Sequence, residues 1–165
     1  MDVYSKTKRS AVMSRIRSTG NKATELQLIQ IFRANGIRGW RRGASLQWKV
    51  GSAKLKTFRV KPDFVFPKLK TAVFVDGCFW HGCPKHAIWP KTRAAFWRKK
   101  IEGNRTRDRR VNRALRGRGW AVIRIWEHEL RRKNEACLLR RLAVVGGTKP
   151  GRAKMVAPKG AAPKR

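Results

Sequence analysis

Residues 57–77 read TFRVKPDFVFPKLKTAVFVDG. Two runs of β-branched and aromatic residues, TFRVKPDFVFP and TAVFVDG, are cut by Lys, Pro and Gly, the pattern of successive strands. Upstream, LQWKV (46–50) reads as a further strand, with a hairpin around GSAKLK (51–56). On both sides the apolar period lengthens. KATELQLIQIFRANG (22–36) places Leu26, Ile29 and Phe32 near one helical face and stops at Gly36. Residues 92–116 set Trp97, Ile101, Val111 and Leu115 near one stripe among many arginines and lysines. After a turn at Gly117 and Gly119, WAVIRIWE (120–127) reads as a strand. Residues 129–143 then read as a helix with Leu130, Ala136, Cys137, Leu138 and Leu142. Helix, strands, helix, strand, helix predicts the α/β class, a mixed sheet sandwiched by helices.

A chain of 165 residues holds one compact domain, and 41% hydrophobic residues with 7 Trp and 7 Phe suffice for a core without disulfides. Lys and Arg number 42 against 9 acids, a formal charge of +33, so the natural partner is a polyanion. No long apolar run or amphipathic basic helix with a lipid-facing aromatic edge is present, which favours nucleic acid over a membrane surface. The first twenty residues lack the apolar core of a signal peptide and point to the cytoplasm. Three domain segments are expected: a basic arm or helix over 1–20, a folded body over 21–145, and a basic tail over 146–165. The tail, GGTKPGRAKMVAPKGAAPKR, has too little apolar surface to order itself.

The chain has 3 Cys and 3 His, and four of these six fall within VFVDGCFWHGCPKH (73–86). Cys78, Cys83 and His86 form C-x4-C-x2-H, a spacing that lets thiolates and imidazole converge on one tetrahedral Zn²⁺. His128, at the end of the strand AVIRIW, supplies a fourth ligand if its strand lies beside TAVFVDG. His81 is then free to take a proton near neutral pH. The exchange of roles, with His81 as ligand and His86 on the surface, is also compatible with spacing alone. Cys137 reads as a buried structural thiol.

Acids are scarce in so basic a chain, which draws attention to Asp63 in KPDFVFP and Asp76 at the end of TAVFVDG. Carboxylates at neighbouring strand ends suit Mg²⁺, which takes oxygen ligands and completes its shell with water and substrate phosphate. The competing reading makes them turn residues or partners of nearby Lys and Arg.

VMSRIRSTGNKATELQL, KPDFVFP, AVFVDGCFWHGCPKH, KTRAAFWRKKI with NRTRDRR, and GWAVIRIWEHEL resemble, in order and spacing, the very short patch repair endonucleases. The resemblance spans about residues 5–142. It implies a restriction-endonuclease-like α/β/α sandwich of the PD-(D/E)XK superfamily with a structural zinc. It also implies a Mg²⁺-dependent, monomeric enzyme that nicks DNA 5′ of the T in a T:G mismatch left by deamination of 5-methylcytosine, in the bacterial cytoplasm, with mismatch-repair factors as possible partners. Residue by residue, the resemblance makes Asp63 the metal-binding aspartate, His81 the catalytic histidine and Glu25 the glutamate of the N-terminal helix. Cys78, Cys83, His86 and His128 become the zinc ligands, and Phe79, Trp80 and Trp97 the aromatics that wedge into the base stack. Asp76 stands where well-known members have histidine and is expected to join Asp63 and the backbone carbonyl of Val75 on Mg²⁺. Arg98, Lys99, Arg107 and Arg110 are expected to contact phosphates. Two rival readings are a related site-specific nuclease acting on matched DNA, and a non-catalytic zinc-stabilised nucleic-acid-binding module.

Overall fold

A computed structural model describes residues 7, 8, 11, 22–50 and 56–146. The arm expected over 1–20 lies outside these residues apart from 7, 8 and 11, as do the hairpin tip 51–55 and the tail from residue 147 onward.

The body is a mixed four-stranded sheet with helices on both faces. A π-helical turn, Lys22–Leu26, leads into α1 (Gln27–Ala34). Strands β1 (Arg41–Arg42), β2 (Leu46–Val50), β3 (Lys56–Val60), β4 (Phe64–Phe66) and β5 (Thr71–Asp76) follow. Helix α2 (Ala94–Arg116), strand β6 (Ala121–Trp126), short 3₁₀ turns and α3 (Glu135–Gly146) complete the chain. The sheet order is β1-β4-β5-β6, and β2-β3 forms a separate antiparallel ribbon.

β4 meets β5 antiparallel, Phe64 opposite Val73, through a tight connection. β5 and β6 are parallel, with Phe74 beside Arg124 and Asp76 beside Trp126. A parallel pair needs a crossover, and α2 is that crossover. Side chains alternate across the pleat. Val73, Val75, Ile123 and Ile125 therefore pack with Leu28 and Phe32 of α1 and Leu138 and Leu142 of α3. Ala72, Phe74 and Val122 face the other way, onto Val111 and Leu115 of α2 and onto Trp48 and Phe58 of the ribbon. Asp76 and Arg124 share this second face by the same alternation, so both point toward α2.

The run TFRVKPDFVFP is not one strand. It divides into β3 and β4 in different sheets at Lys61-Pro62-Asp63, because Pro62 has no N–H for a ladder and cannot sit mid-strand. The helix expected over 129–143 begins only at Glu135, after 3₁₀ turns at Glu127–Leu130 and Arg132–Asn134. Cys137 is exposed, not buried as its neighbours suggested; α3 turns its Leu138, Leu142 and Val145 face to the core instead. Among the described residues, no helix is long and apolar enough to cross a membrane.

Candidate active site and metal centre

The C-terminal ends of β5 and β6 lie side by side, and the site is built from what projects there. Continuing the register two residues past Asp76 and Trp126 brings Cys78 beside His128. Cys78 Sγ lies 3.3 Å from His128 Nδ1, Cys83 Sγ 3.7 Å from His128 Nδ1, and Cys83 Sγ 3.9 Å from His86 Nδ1. The donor atoms of Cys78, Cys83, His86 and His128 all fall within 4.8 Å of one another, a group able to hold one metal ion. His81 is not among them and lies instead with Asp76 and Asp108. Burial, and the facing Cys83, push the Cys78 thiol up. His128 is pushed down by burial and by His86. Both shifts disfavour charge on donors that a cation would bring together.

The loop Gly77–His86 is pinned by its own backbone. Cys83 N–H donates to the Cys78 carbonyl at 2.8 Å and Ala87 N–H to the Cys83 carbonyl at 3.0 Å. Gly82 has φ +63, and a Cβ there would sit 2.8 Å from Cγ2 of Ile101, so only glycine lets the loop press onto α2. Buried Asn104 on α2 donates through Nδ2 to the Trp80 carbonyl at 2.8 Å.

His81 leaves this loop toward α2. Its Nδ1 lies 2.6 Å from Asp108 Oδ2 and 3.6 Å from Asp76 Oδ1. Burial alone would raise Asp108, but the hydrogen bond from His81 and the charge of Arg124 outweigh it and hold the carboxyl below its ordinary range. Asp76 is gripped by both arms of Arg124, Nε at 2.6 Å from Oδ2 and Nη2 at 2.8 Å from Oδ1. The same Nη2 is 2.8 Å from Asp108 Oδ1, and Nη1 donates to Asn112 Oδ1 at 3.1 Å.

Asp63 lies just before β4. Its Oδ2 accepts a 2.7 Å hydrogen bond from Val75 N–H. Burial pushes it up to about 6 against that hydrogen bond, with Glu25 and Asp76 raising it further and Arg124 lowering it. Glu25 is buried and takes a 2.8 Å bond from Nε of Arg42. Glu25, Asp63 and Asp76 thus form one anionic region. The metal-capable group containing Asp76 is completed by His81 and Asp108 and does not include Asp63.

The three aromatics singled out from sequence come together. Phe79 lies edge-on to Trp80 at 5.1 Å and to Trp97 at 5.2 Å, and Trp80 is 5.9 Å from Trp97. All three are only half-buried. Phe96, at 5.3 Å from Trp97, extends the group into solvent, beneath the Arg93 guanidinium. Arg98, Lys99, Arg107 and Arg110 are exposed on α2, with Arg110 resting over the Phe58 ring.

Sequence reasoning missed Asp108, Asn112, Asn104 and Arg124. One signal was available: Arg124 is the single charge inside the apolar strand AVIRIW, and a guanidinium held largely out of water requires an anion.

Comparison with known proteins bears on what this arrangement does. The family model described as DNA mismatch endonuclease Vsr matches residues 1–87. Type II nicking enzyme V.NaeI of Lentzea aerocolonigenes is 38% identical over 137 residues, 75% of this chain and 82% of its own. Type II nicking enzyme V.NmeAIP of Neisseria meningitidis serogroup A is 38% identical over 143 residues, 86% of this chain and 91% of its own. DNA mismatch endonuclease Vsr of Escherichia coli is 36% identical over 132 residues, 79% of this chain and 76% of its own. These matches remove the reading of a non-catalytic binding module: the chain belongs to the Vsr family of DNA mismatch endonucleases and is a DNA endonuclease.

Proposed function

We propose that this endonuclease makes a Mg²⁺-dependent nick 5′ of the T in a T:G mismatch, repairing deaminated 5-methylcytosine, on a restriction-endonuclease-like framework tied by a structural Zn²⁺. The observation that carries the reading is the loop Gly77–His86. It begins where the carboxylate strand ends, and it bears both the oriented His81 and the Phe79–Trp80 pair.

For Zn²⁺ the fit is direct. Bond lengths of about 2.3 Å to sulfur and 2.0–2.1 Å to nitrogen place tetrahedral S and N ligands roughly 3.6 Å apart. The S–N separations of 3.3, 3.7 and 3.9 Å bracket that figure. For Mg²⁺, Asp63 is the leading ligand, since burial among carboxylates leaves it in want of a cation. Val75, whose N–H already lies against Asp63, offers its carbonyl. Asp76 belongs to the same surround, with Arg124 sharing its charge, and Glu25 adds a third carboxylate. When bound, Mg²⁺ supplies charge neutralisation at the scissile phosphate and a more acidic water.

The side chains then divide the work. Asp108, held ionised by His81 and Arg124, can only accept a hydrogen bond, so His81 Nδ1 carries the proton. In the neutral imidazole this leaves Nε2 as the nitrogen that takes the proton of the attacking water. Phe79, Trp80 and Trp97 enter the base stack, at a cost of a few kcal/mol per step that is smaller at a mismatch. Exposed Arg98, Lys99, Arg107 and Arg110 bind phosphates in a salt-dependent manner. Nicking one strand requires one such centre, so a cytoplasmic monomer suffices, with any mismatch-repair factor acting outside the chemistry.

Two of the relatives are named Type II nicking enzymes, with no mention of a mismatch, and the second reading is therefore a related site-specific nuclease acting on matched DNA. End-labelled duplexes, matched or carrying one T:G pair in varied contexts, with Mg²⁺ or EDTA, separate the two. A Mg²⁺-dependent nick beside the mismatched T, absent in Asp63→Ala, is the expected result. Equal cutting of matched duplex would replace the repair reading with the second one.

A further inference from the structure

The reading above needs His81 held with Nε2 toward the DNA, and Asp108 performs that task only if something holds Asp108. Helix α2 sets Asp108 and Asn112 one turn apart, on the same side. Both meet the Arg124 guanidinium, at 2.8 and 3.1 Å. On the strand side the same guanidinium takes both oxygens of Asp76, at 2.6 and 2.8 Å. It lies over Phe74, its neighbour on β5, with Cζ 4.8 Å from the ring centroid. All three nitrogens are thus engaged, and a planar fork is the one side chain that can meet a carboxylate in two places while bonding another residue.

We propose that Arg124 is a positioning residue for the nicking reaction: it locks Asp76 and Asp108 together so that Asp108 gives Oδ1 to Arg124 and keeps Oδ2 for His81 Nδ1. Asp108 has one oxygen on each partner, so its rotation about the carboxyl bond is fixed from both sides. Without Arg124 that carboxylate is tethered only by the histidine it is meant to orient. It would then turn, and Asp76 Oδ1, 3.6 Å away, would compete for Nδ1. The role goes to Arg124 and not to Asn112 because only Arg124 also touches Asp76. No atom of Arg124 is required to reach DNA.

The inference rests on the proposed role of His81, so its test is arranged to separate the two. Steady-state nicking of a T:G duplex is measured for wild type, Arg124→Gln, Arg124→Lys, Asp108→Ala and the Arg124→Gln/Asp108→Ala double variant. The His81 tautomer is read in parallel, without DNA, from nitrogen-15 correlation spectra. Arg124→Gln is expected to lower kcat by about 100-fold with KM within about threefold of wild type, a general-base-sized loss without a binding loss. Arg124→Lys recovers only part of it, because an ammonium cannot fork across two carboxylates. In the Asp108→Ala background the further loss is under about threefold, since both changes sever one line of contact. His81 changes from a single tautomer protonated at Nδ1 to a mixture.

Should Arg124→Gln fail to fold, Arg124→Lys, which retains the cation, is judged alone: a lower kcat at unchanged KM and a mixed tautomer are expected. Wild-type kcat in a folded variant, a loss confined to KM, additive losses in the double variant, or an unchanged tautomer would each overturn the role of Arg124. Failure of wild type to nick the T:G duplex instead defeats the substrate reading, and the tautomer measurement still decides on Arg124.

Discussion

Two clusters stand side by side beyond β5 and β6, and they balance charge in opposite ways. Cys78, Cys83, His86 and His128 bring four donor atoms within 4.8 Å of one another. Asp76, Asp108 and His81 are also close enough to share a metal ion, yet Arg124 already sits between the two carboxylates. The first cluster is able to take an ion from outside; the second has its cation built into β6. Proximity of metal-ligating residues is therefore a poor guide by itself. What counts is whether the protein supplies the counter-charge. By that criterion the proposed place for Mg²⁺ is at Asp63, where burial and neighbouring carboxylates raise the carboxyl to about 6.

The hardest test of this contrast removes Asp63. Asp63→Ala is expected to abolish nicking while DNA affinity stays within a few-fold, and His81→Ala to lower the rate by about 10² to 10⁴; retained activity in Asp63→Ala would mean that the hard cation binds elsewhere. Next in size is the thiol cluster. If the four donors hold zinc, Cys83→Ser is expected to melt at least about 5 °C lower and to bind less than one equivalent of zinc, since metal binding at such a site is folding free energy. An unaltered melting temperature with unaltered metal content would show that the four donors hold no structural ion.

The aromatic cluster comes third. Phe79→Ala or Trp97→Ala should cost about 1–3 kcal/mol of affinity for mismatched duplex and less for matched duplex, as expected of stacking side chains. Equal losses on both duplexes would assign these rings to loop packing instead.

A smaller effect follows from the raised Asp63. Its folded value exceeds the unfolded one, so the contribution to stability is complete below the unfolded pKa of about 4. It is lost as pH rises through about 6. In Mg²⁺-free buffer, wild type should lose stability relative to Asp63→Asn between these two values, and the Mg²⁺ concentration needed for activity should fall as pH rises to about 6. Parallel stability curves for the two proteins would contradict the raised value. Smallest of all, Arg98→Ala and Lys99→Ala should each reduce the salt slope of DNA binding by about 0.9 without altering mismatch preference. An unchanged slope would leave them as solvated surface.

The parts legible beforehand were those that chain connectivity imposes. Cys78, Cys83 and His86 are five and three positions apart, so a single loop must bring them together. Phe79 and Trp80 are adjacent, and a loop tied at both ends cannot bury both. The period of the apolar residues marked most strands and helices. It failed where a proline ended a run, at Lys61-Pro62-Asp63, and where 3₁₀ turns delayed α3 to Glu135. It also gave no hint of β1, a two-residue edge strand, Arg41–Arg42, recognisable only by its pairing with Val65 and Phe64.

What lies beyond periodicity is the assignment of partners. Asp76 and Arg124 are 48 positions apart, and His81 and Asp108 27 apart. Nothing local distinguishes Asp108 from Glu102, the other acid of the same basic helix, and although Arg124 stands out as a charge inside an apolar strand, nothing local names the anion it meets. Parallel pairing of β5 with β6 sets Arg124 diagonal to Asp76, and the crossover helix lays Asp108 over both. Three of the four clustered Cys/His donors and the Phe79–Trp80 pair could be read from one short stretch because a covalent chain holds neighbours together. The charge network around His81 had to await the fold, because only the register between distant strands decides which carboxylate meets which cation.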